Sequence, residues 1–238
     1  MSAGDARAAQ KARLLRQKRW LHRHVVARSG VKPVALVAGV LGLRRALLQG
    51  RDVDQVADRL ARGWGNPEFA AAPELLAAVI REAAASRSAI VECGSGATSV
   101  VLAAARKYLG AEVVTLEHDP HWARIVQRRL RALRLHYDGV LVRPLEDRGD
   151  YDWYAVRDAD LPQRIGLVIC DGPPASTRGG RSGVTELVDR AGPPEVVLLD
   201  DTQREAESAL ATQLEGLGYS SHRATGSLAR SFKRLVRA

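Results

Sequence analysis

Over the last two-thirds of the chain, short apolar runs alternate with longer segments of helical character. The runs fall at 89–93, 112–116, 139–142, 165–170 and 195–199. Apolar runs this short, bounded by turn residues, read as buried strands. Between them, 98–109, 120–133, a short stretch at 184–190, and 203–217 read as helices. Strand–helix alternation of this kind predicts an α/β domain with a mostly parallel sheet covered on both faces. The end of the chain breaks the alternation. Segments 219–225 and 228–236 flank Gly226-Ser227 and read as an antiparallel pair that closes the sheet.

The first part of the chain is helical in pattern throughout. Residues 3–28 are rich in Ala, Arg, Leu and Gln, and only Leu14, Leu21 and Val25 form an apolar stripe. Ser29-Gly30 and Pro33 end that segment. A second helix is expected over 34–48, closed by Gly50, and a third from Asp52 or Asp54 through Arg62. Gly63-Trp64-Gly65-Asn66-Pro67 reads as a loop, and Pro73 as the first position of a helix running to Ala85. This divides the chain into a basic helical N-terminal extension, 1–62, and an α/β domain, 63–238.

Composition narrows the class. The chain has 238 residues, of which 46 % are hydrophobic and 26 % charged, as expected of a globular protein. Two cysteines exclude a disulfide framework and a cysteine-rich zinc module. The longest apolar run, 34–43, is far too short to span a bilayer, and it lies too deep in the chain to be a signal peptide. A cytoplasmic location is expected, and Cys93 and Cys170 fit a reducing compartment. The net charge is +9, and residues 1–50 hold eleven arginines and lysines against Asp5 alone. That segment predicts weak contact with an anionic membrane surface or a nucleic acid. Packing on the domain or on a second subunit, as in a homo-oligomer, is the plain alternative.

The richest stretch is Ile90-Val91-Glu92-Cys93-Gly94-Ser95-Gly96-Ala97-Thr98-Ser99. A buried strand enters a glycine turn and leaves as a helix, whose free N–H groups favour an anionic group. Dinucleotide sites want a third glycine, and Ser99 stands there. S-adenosylmethionine (SAM) needs less room, and Glu92 stands where an acid can meet its cationic amino end. Glu117 closes the second run and can accept from both ribose hydroxyls. A tight turn without a ligand, and a solvated acid opening a loop, are the plain readings of these two features.

The glycine turn is followed in order by Glu117-His118-Asp119-Pro120, Arg143-Pro144-Leu145-Glu146, Trp153-Tyr154, Asp171-Gly172-Pro173-Pro174 and Leu199-Asp200-Asp201. Together these segments resemble class I SAM-dependent methyltransferases, and within them a bacterial group acting on small molecules and glycans. The likeness covers about residues 63–238, with Gly65-Asn66-Pro67 similar to that group's opening segment. It implies a Rossmann-like, seven-stranded, mostly parallel sheet with an antiparallel last strand. It further implies Glu92, Gly94, Ser95 and Gly96 around the methionine part of SAM, Glu117 on the ribose, and Leu145 and Glu146 at the adenine.

Asp171 ends the fourth run and Asp200-Asp201 the fifth, so all three acids should face the crevice beyond the carboxyl ends of the strands. Asp171 and Asp201 are the candidate catalytic acids, with Asp171 also near the cofactor. The three can bind Mg²⁺ or another divalent cation, as in metal-dependent O-methyltransferases, or one can act as a base without metal. Their plain roles are ordering a loop and capping a helix. Ala175 stands where amino-group methyltransferases place an aromatic residue. Arg178 and Arg181, in a segment read as flexible, are candidate clamps for a substrate carboxylate or phosphate. His118 and His121 suit surface or capping roles. The expected activity is O-methylation of a small-molecule or sugar acceptor. An RNA or protein acceptor, a non-catalytic SAM-fold binder, and an NAD enzyme disfavoured by Ser99 are the rivals.

Overall fold

The computed structural model describes residues 32–65, 70–225 and 231–238. The expectations for 3–28, for Asn66-Pro67 and for the Gly226-Ser227 turn lie outside those residues. Three helices come first: α1 (Pro33–Gln49), α2 (Val53–Trp64) and α3 (Pro73–Ala85). Pro33 and Pro73 each sit at a helix start, where a missing N–H costs nothing. Gly50 ends α1 in the left-handed region, with its N–H on the Ala46 carbonyl.

Strand–helix alternation follows as expected: β1 (Ala89–Cys93), α4 (Ala97–Leu109), β2 (Val113–Glu117), α5 (Pro120–Ala132) and β3 (Val140–Val142). The pattern resumes with β6 (Ile165–Cys170), α6 (Val184–Ala191), β7 (Val196–Leu199) and α7 (Glu205–Gly216). Between these two halves stands a small antiparallel hairpin, β4 (Leu145–Asp147) and β5 (Asp152–Tyr154), which pairs Leu145 with Tyr154 and Glu146 with Trp153. The sequence pattern did not predict it: three-residue strands are too short to show a period.

The main sheet has seven strands in the order β3-β2-β1-β6-β7-β9-β8, where β8 is Tyr219–Thr225 and β9 is Ser231–Arg237. The first five are mutually parallel, and β9 runs antiparallel to both neighbours. This is the Rossmann-like arrangement expected from the sequence.

Strand alternation sorts the core into two layers. Ile90, Leu167, Ile169 and Leu198 face the layer built by α1 to α5. Val91, Cys93, Val168, Cys170, Val197 and Leu199 face the other, with Trp153 and Tyr154 from the hairpin and Leu210 and Leu214 from α7. Both sheet faces are therefore covered, which is why the strands read as continuous apolar runs rather than alternating ones. Helices α1 and α2 belong to the first layer: Leu43, Leu60 and Trp64 are buried in one cluster with Ile90 and Phe232. The boundary expected after residue 62 thus falls inside α2. Among the described residues no helix is long and apolar enough to cross a membrane.

Candidate active site

Backbone hydrogen bonds continue past the strand ends and hold three loops side by side. Gly94 N–H donates to the Leu116 carbonyl, Asp171 N–H to Cys93, and Asp200 N–H to Cys170. The glycine turn, Asp171-Gly172 and Asp200-Asp201 therefore share the carboxyl edge of β1, β6 and β7. Cys93 and Cys170 are register partners below them, both buried and reduced.

Gly94 needs to be glycine twice over. Its φ is +89°, and a Cβ there would lie 2.8 Å from the Gly172 backbone. Gly96 differs: a Cβ there would meet nothing within 4 Å. The missing side chain at Gly96 keeps space open in front of the first turn of α4. Free backbone donors and open space at a helix start are what an anionic or polar ligand group needs.

The two acids read as cofactor ligands are both engaged. Glu117 Oε2 accepts from Ser95 N–H at 3.0 Å and Ser95 Oγ–H at 2.7 Å, and Oε1 accepts from Asp119 N–H at 2.8 Å. His118 Nδ1 also lies 3.0 Å from Oε1. Glu117 thereby ties β2 to the glycine turn. Asp119 caps α5 through the N–H groups of His121 and Trp122.

Glu92 is fully buried, with Oε2 accepting from Ser99 Oγ–H and Thr115 Oγ–H, each at 2.7 Å. Ser99 Oγ in turn accepts from Gly96 N–H at 3.0 Å, so Glu92 braces the loop from beneath. Its other oxygen, Oε1, has no hydrogen-bond partner. Burial raises its pKa to about 7, opposed by the hydroxyl donors around it.

Asp171, Asp200 and Asp201 converge as expected, with carboxylate oxygens within 4.8 Å of one another. Burial raises Asp171 well above the usual carboxylate range, and the neighbouring Asp200 adds to the shift. Asp200 is also raised, first by burial and then by Asp201. Burial thus favours the neutral form of both acids.

Arg181 overturns the reading of its segment. It is 2 % exposed rather than a mobile surface clamp. It donates to the carbonyls of Asp200 (2.5 Å) and Asp171 (3.0 Å), to Asp171 Oδ1 at 3.3 Å and to Asp201 Oδ2 at 2.8 Å. A buried guanidinium thus supplies the positive charge at the centre of the trio. A divalent cation there would have to displace Arg181 or bear its repulsion, so these residues do not fit the expected metal.

Arg178 is exposed and lies on Asp147 (2.5 Å) and Asp152 (2.7 Å), closing the β4–β5 hairpin instead of facing the acids. Leu145 and Glu146 lie on β4, with Glu146 exposed and 3.5 Å from Arg148.

Sequence reasoning missed one residue of note, Tyr154. Its side chain is fully buried and its hydroxyl has no partner. A Cβ on Gly172 would come 2.8 Å from that oxygen, which places it beside the Gly94–Gly172 contact. Its ring meets those of Trp153 and His118 edge-on, at 5.0 and 6.5 Å. Burial raises its pKa well above the usual value, so it remains a donor. The Trp153-Tyr154 pair was visible in the sequence, but nothing there indicated which ring would turn toward the glycine seam.

No family model and no curated protein matches this chain. Solved structures do. The SAH-bound methyltransferase PaMTH1 of Podospora anserina aligns with a TM-score of 0.52 at 14 % identity, over 94 % of this chain and 96 % of that one. A precorrin-6y C5,15-methyltransferase of Geobacter metallireducens aligns with a TM-score of 0.49 at 17 % identity, over 73 % and 95 %. The N-terminal domain of human METTL16 in complex with SAH also gives 0.49, at 11 % identity, over 78 % and 81 %. At these identities the likeness is one of architecture: the chain has the Rossmann-like fold found in methyltransferases.

Proposed function

We propose that this protein is a SAM-dependent methyltransferase acting on a hydroxyl oxygen of a small molecule or sugar. The observation that carries the reading is the Asp171–Asp200 carboxyl pair beside the glycine turn, backed by Arg181. The SAH-bound Podospora anserina methyltransferase, which shares this architecture, supports the cofactor. Gly94, Ser95 and Gly96 would receive its methionine part, Glu117 its ribose, and Leu145 and Glu146 its adenine. The unpartnered Tyr154 hydroxyl beside the Gly94–Gly172 contact fits a ligand with an accepting group. When bound, SAM supplies a methyl group on a sulfonium centre, open to in-line displacement.

The chain's own residues do the rest. Asp171 is the acid of the pair whose side chain reaches solvent, 19 % exposed, so an acceptor hydroxyl can meet it. In its unprotonated form it takes the hydroxyl proton as the oxygen–carbon bond forms and the carbon–sulfur bond breaks. A base raised by burial holds a proton more firmly once it has taken it. Arg181 keeps the three acids from repelling one another and fixes Asp171 in place.

Calorimetry with S-adenosylhomocysteine tests the cofactor. Binding is expected, and Gly96→Ala should weaken it at least about tenfold while costing under about 1 kcal/mol of stability. Labelled-methyl transfer to a panel of catechols, phenols and sugars tests the acceptor. Transfer undiminished by EDTA and lost in Asp171→Asn supports the proposal. Transfer confined to RNA or protein, or abolished by EDTA, overturns it.

A further inference from the structure

Helix α1 is apolar on two sides. One side, with Leu36, Val40, Leu43 and Leu47, enters the core. The other presents Val34, Val37, Leu41 and Leu48 to solvent, with 84, 46, 77 and 46 % of each exposed. Their spacing places all four on one stripe of the helix. These are four of the seven large apolar side chains exposed among the described residues, gathered on one element. Isolated exposed leucines need no explanation, but a stripe does.

The unpaired charge beside the stripe is basic. Helix α1 contains no acidic residue, and Lys32 and Arg44 are exposed beside its apolar positions, with Arg45 held on Asp52. The acids nearest in sequence are already paired: Asp52 with Arg45 at 2.5 Å, Asp54 with Arg81 at 2.8 Å, and Asp58 with Arg62. The 31 residues before Lys32 add eight more arginines and lysines against Asp5.

We propose that the Val34–Val37–Leu41–Leu48 face of α1 docks on an anionic lipid surface. The aliphatic side chains would enter the acyl boundary, while Lys32 and Arg44 meet the headgroups. Three other occupants fit less well. A second copy would bring basic faces together, and a stable dimer buries about 800 Å² per partner, more than these four side chains expose. Residues 1–31 offer only the thin stripe of Leu14, Leu21 and Val25 and carry the same sign of charge as the face they would cover; vesicle binding unchanged by the variant would favour them as its occupant. RNA would match the charge but offers no apolar place for Val34 and Leu41. The inference is independent of the methyl-transfer reading and stands or falls apart from it.

The test is flotation of the full-length protein with vesicles of phosphatidylcholine, alone or mixed with phosphatidylglycerol. Binding is expected only with the mixed vesicles and should weaken as salt rises. The decisive variant is Val34→Gln/Leu41→Gln, which leaves the charge unchanged. Both side chains are exposed, so the thermal midpoint should hold while vesicle binding falls about tenfold or more. Equal binding by this variant and the wild type would overturn the proposal, since charge alone would then explain attachment. A dimer in sedimentation equilibrium that the variant dissociates would overturn it in favour of a second copy. Binding of single-stranded RNA unaffected by the variant, with no vesicle binding, would overturn it in favour of nucleic acid.

Discussion

At the level of single residues, the site keeps polar atoms in places where folding alone would not. Glu92 has a folded pKa of about 7 against an ordinary 4.5, because burial penalises its charged form. The folded protein therefore binds a proton that the unfolded chain has released, over the range between those two values. The stabilisation is fully present below pH 4.5 and is lost as pH rises through 7, a change of about 3 kcal/mol. In Glu92→Gln this slope should disappear. Denaturant unfolding at pH 5 and pH 8 should show a smaller difference for the variant than for the wild type. Some slope will remain, because Asp171 and Asp200 are raised in the same direction.

Tyr154 makes the complementary case. An unpaired buried hydroxyl costs about 1–3 kcal/mol, so Tyr154→Phe should leave the thermal midpoint unchanged or raise it. If the hydroxyl serves a bound nucleoside, the same variant should weaken S-adenosylhomocysteine binding about fivefold or more. A lower midpoint with unchanged binding would make Tyr154 a packing residue only.

At the level of elements, the strands announced themselves and the connections did not. Ile165-Gly166-Leu167-Val168-Ile169-Cys170 is buried at every position, so its apolar run was plain in the sequence. The Arg178-Gly179-Gly180-Arg181 segment looked flexible because its glycines were read as freedom. In the fold they mark close approach: a Cβ on Gly179 would lie 2.4 Å from Tyr151 Cβ, and one on Gly180 2.7 Å from Glu207 Oε1. The same tightly packed segment carries Arg181 into the interior. No local pattern shows it, because Tyr151 and Glu207 are distant in sequence. The β4–β5 hairpin escapes for a different reason: its partners are close in sequence, but strands of three residues show no period.

The hairpin's placement rests on Asp160, which follows it. Asp160 accepts from Arg143 Nε at 2.7 Å, from the rest of that guanidinium, and from Arg157 N–H at 2.9 Å. Its pKa is lowered, first by Arg143, so this contribution is present above the ordinary carboxylate range and is lost as pH falls below it. Asp160→Asn should cost about 1–3 kcal/mol at pH 7 and reduce the difference between pH 7 and pH 3. Paired denaturant curves at the two pH values check both.

At the level of the whole molecule, the sheet and the N-terminal helices share one fate. The sequence places a boundary after residue 62, ahead of the loop reading of Gly63-Trp64-Gly65-Asn66-Pro67. In the fold Trp64 is the last residue of α2. It is 1 % exposed, packs edge-on to Trp122 at 6.4 Å, carries Arg129 over its ring at 4.5 Å, and accepts from Arg129 through its carbonyl at 3.1 Å. These contacts join the end of α2 to α5, and the same cluster runs on through Ile90 and Leu198 to Phe232. A shared core has no plane along which the helices can melt alone. Thermal unfolding should therefore be a single transition, with tryptophan fluorescence and the far-ultraviolet signal at coincident midpoints. Trp64→Ala should lower stability by about 3–5 kcal/mol without separating the two signals. Two transitions, with only the earlier one moved by the substitution, would instead make α1 and α2 an independent unit.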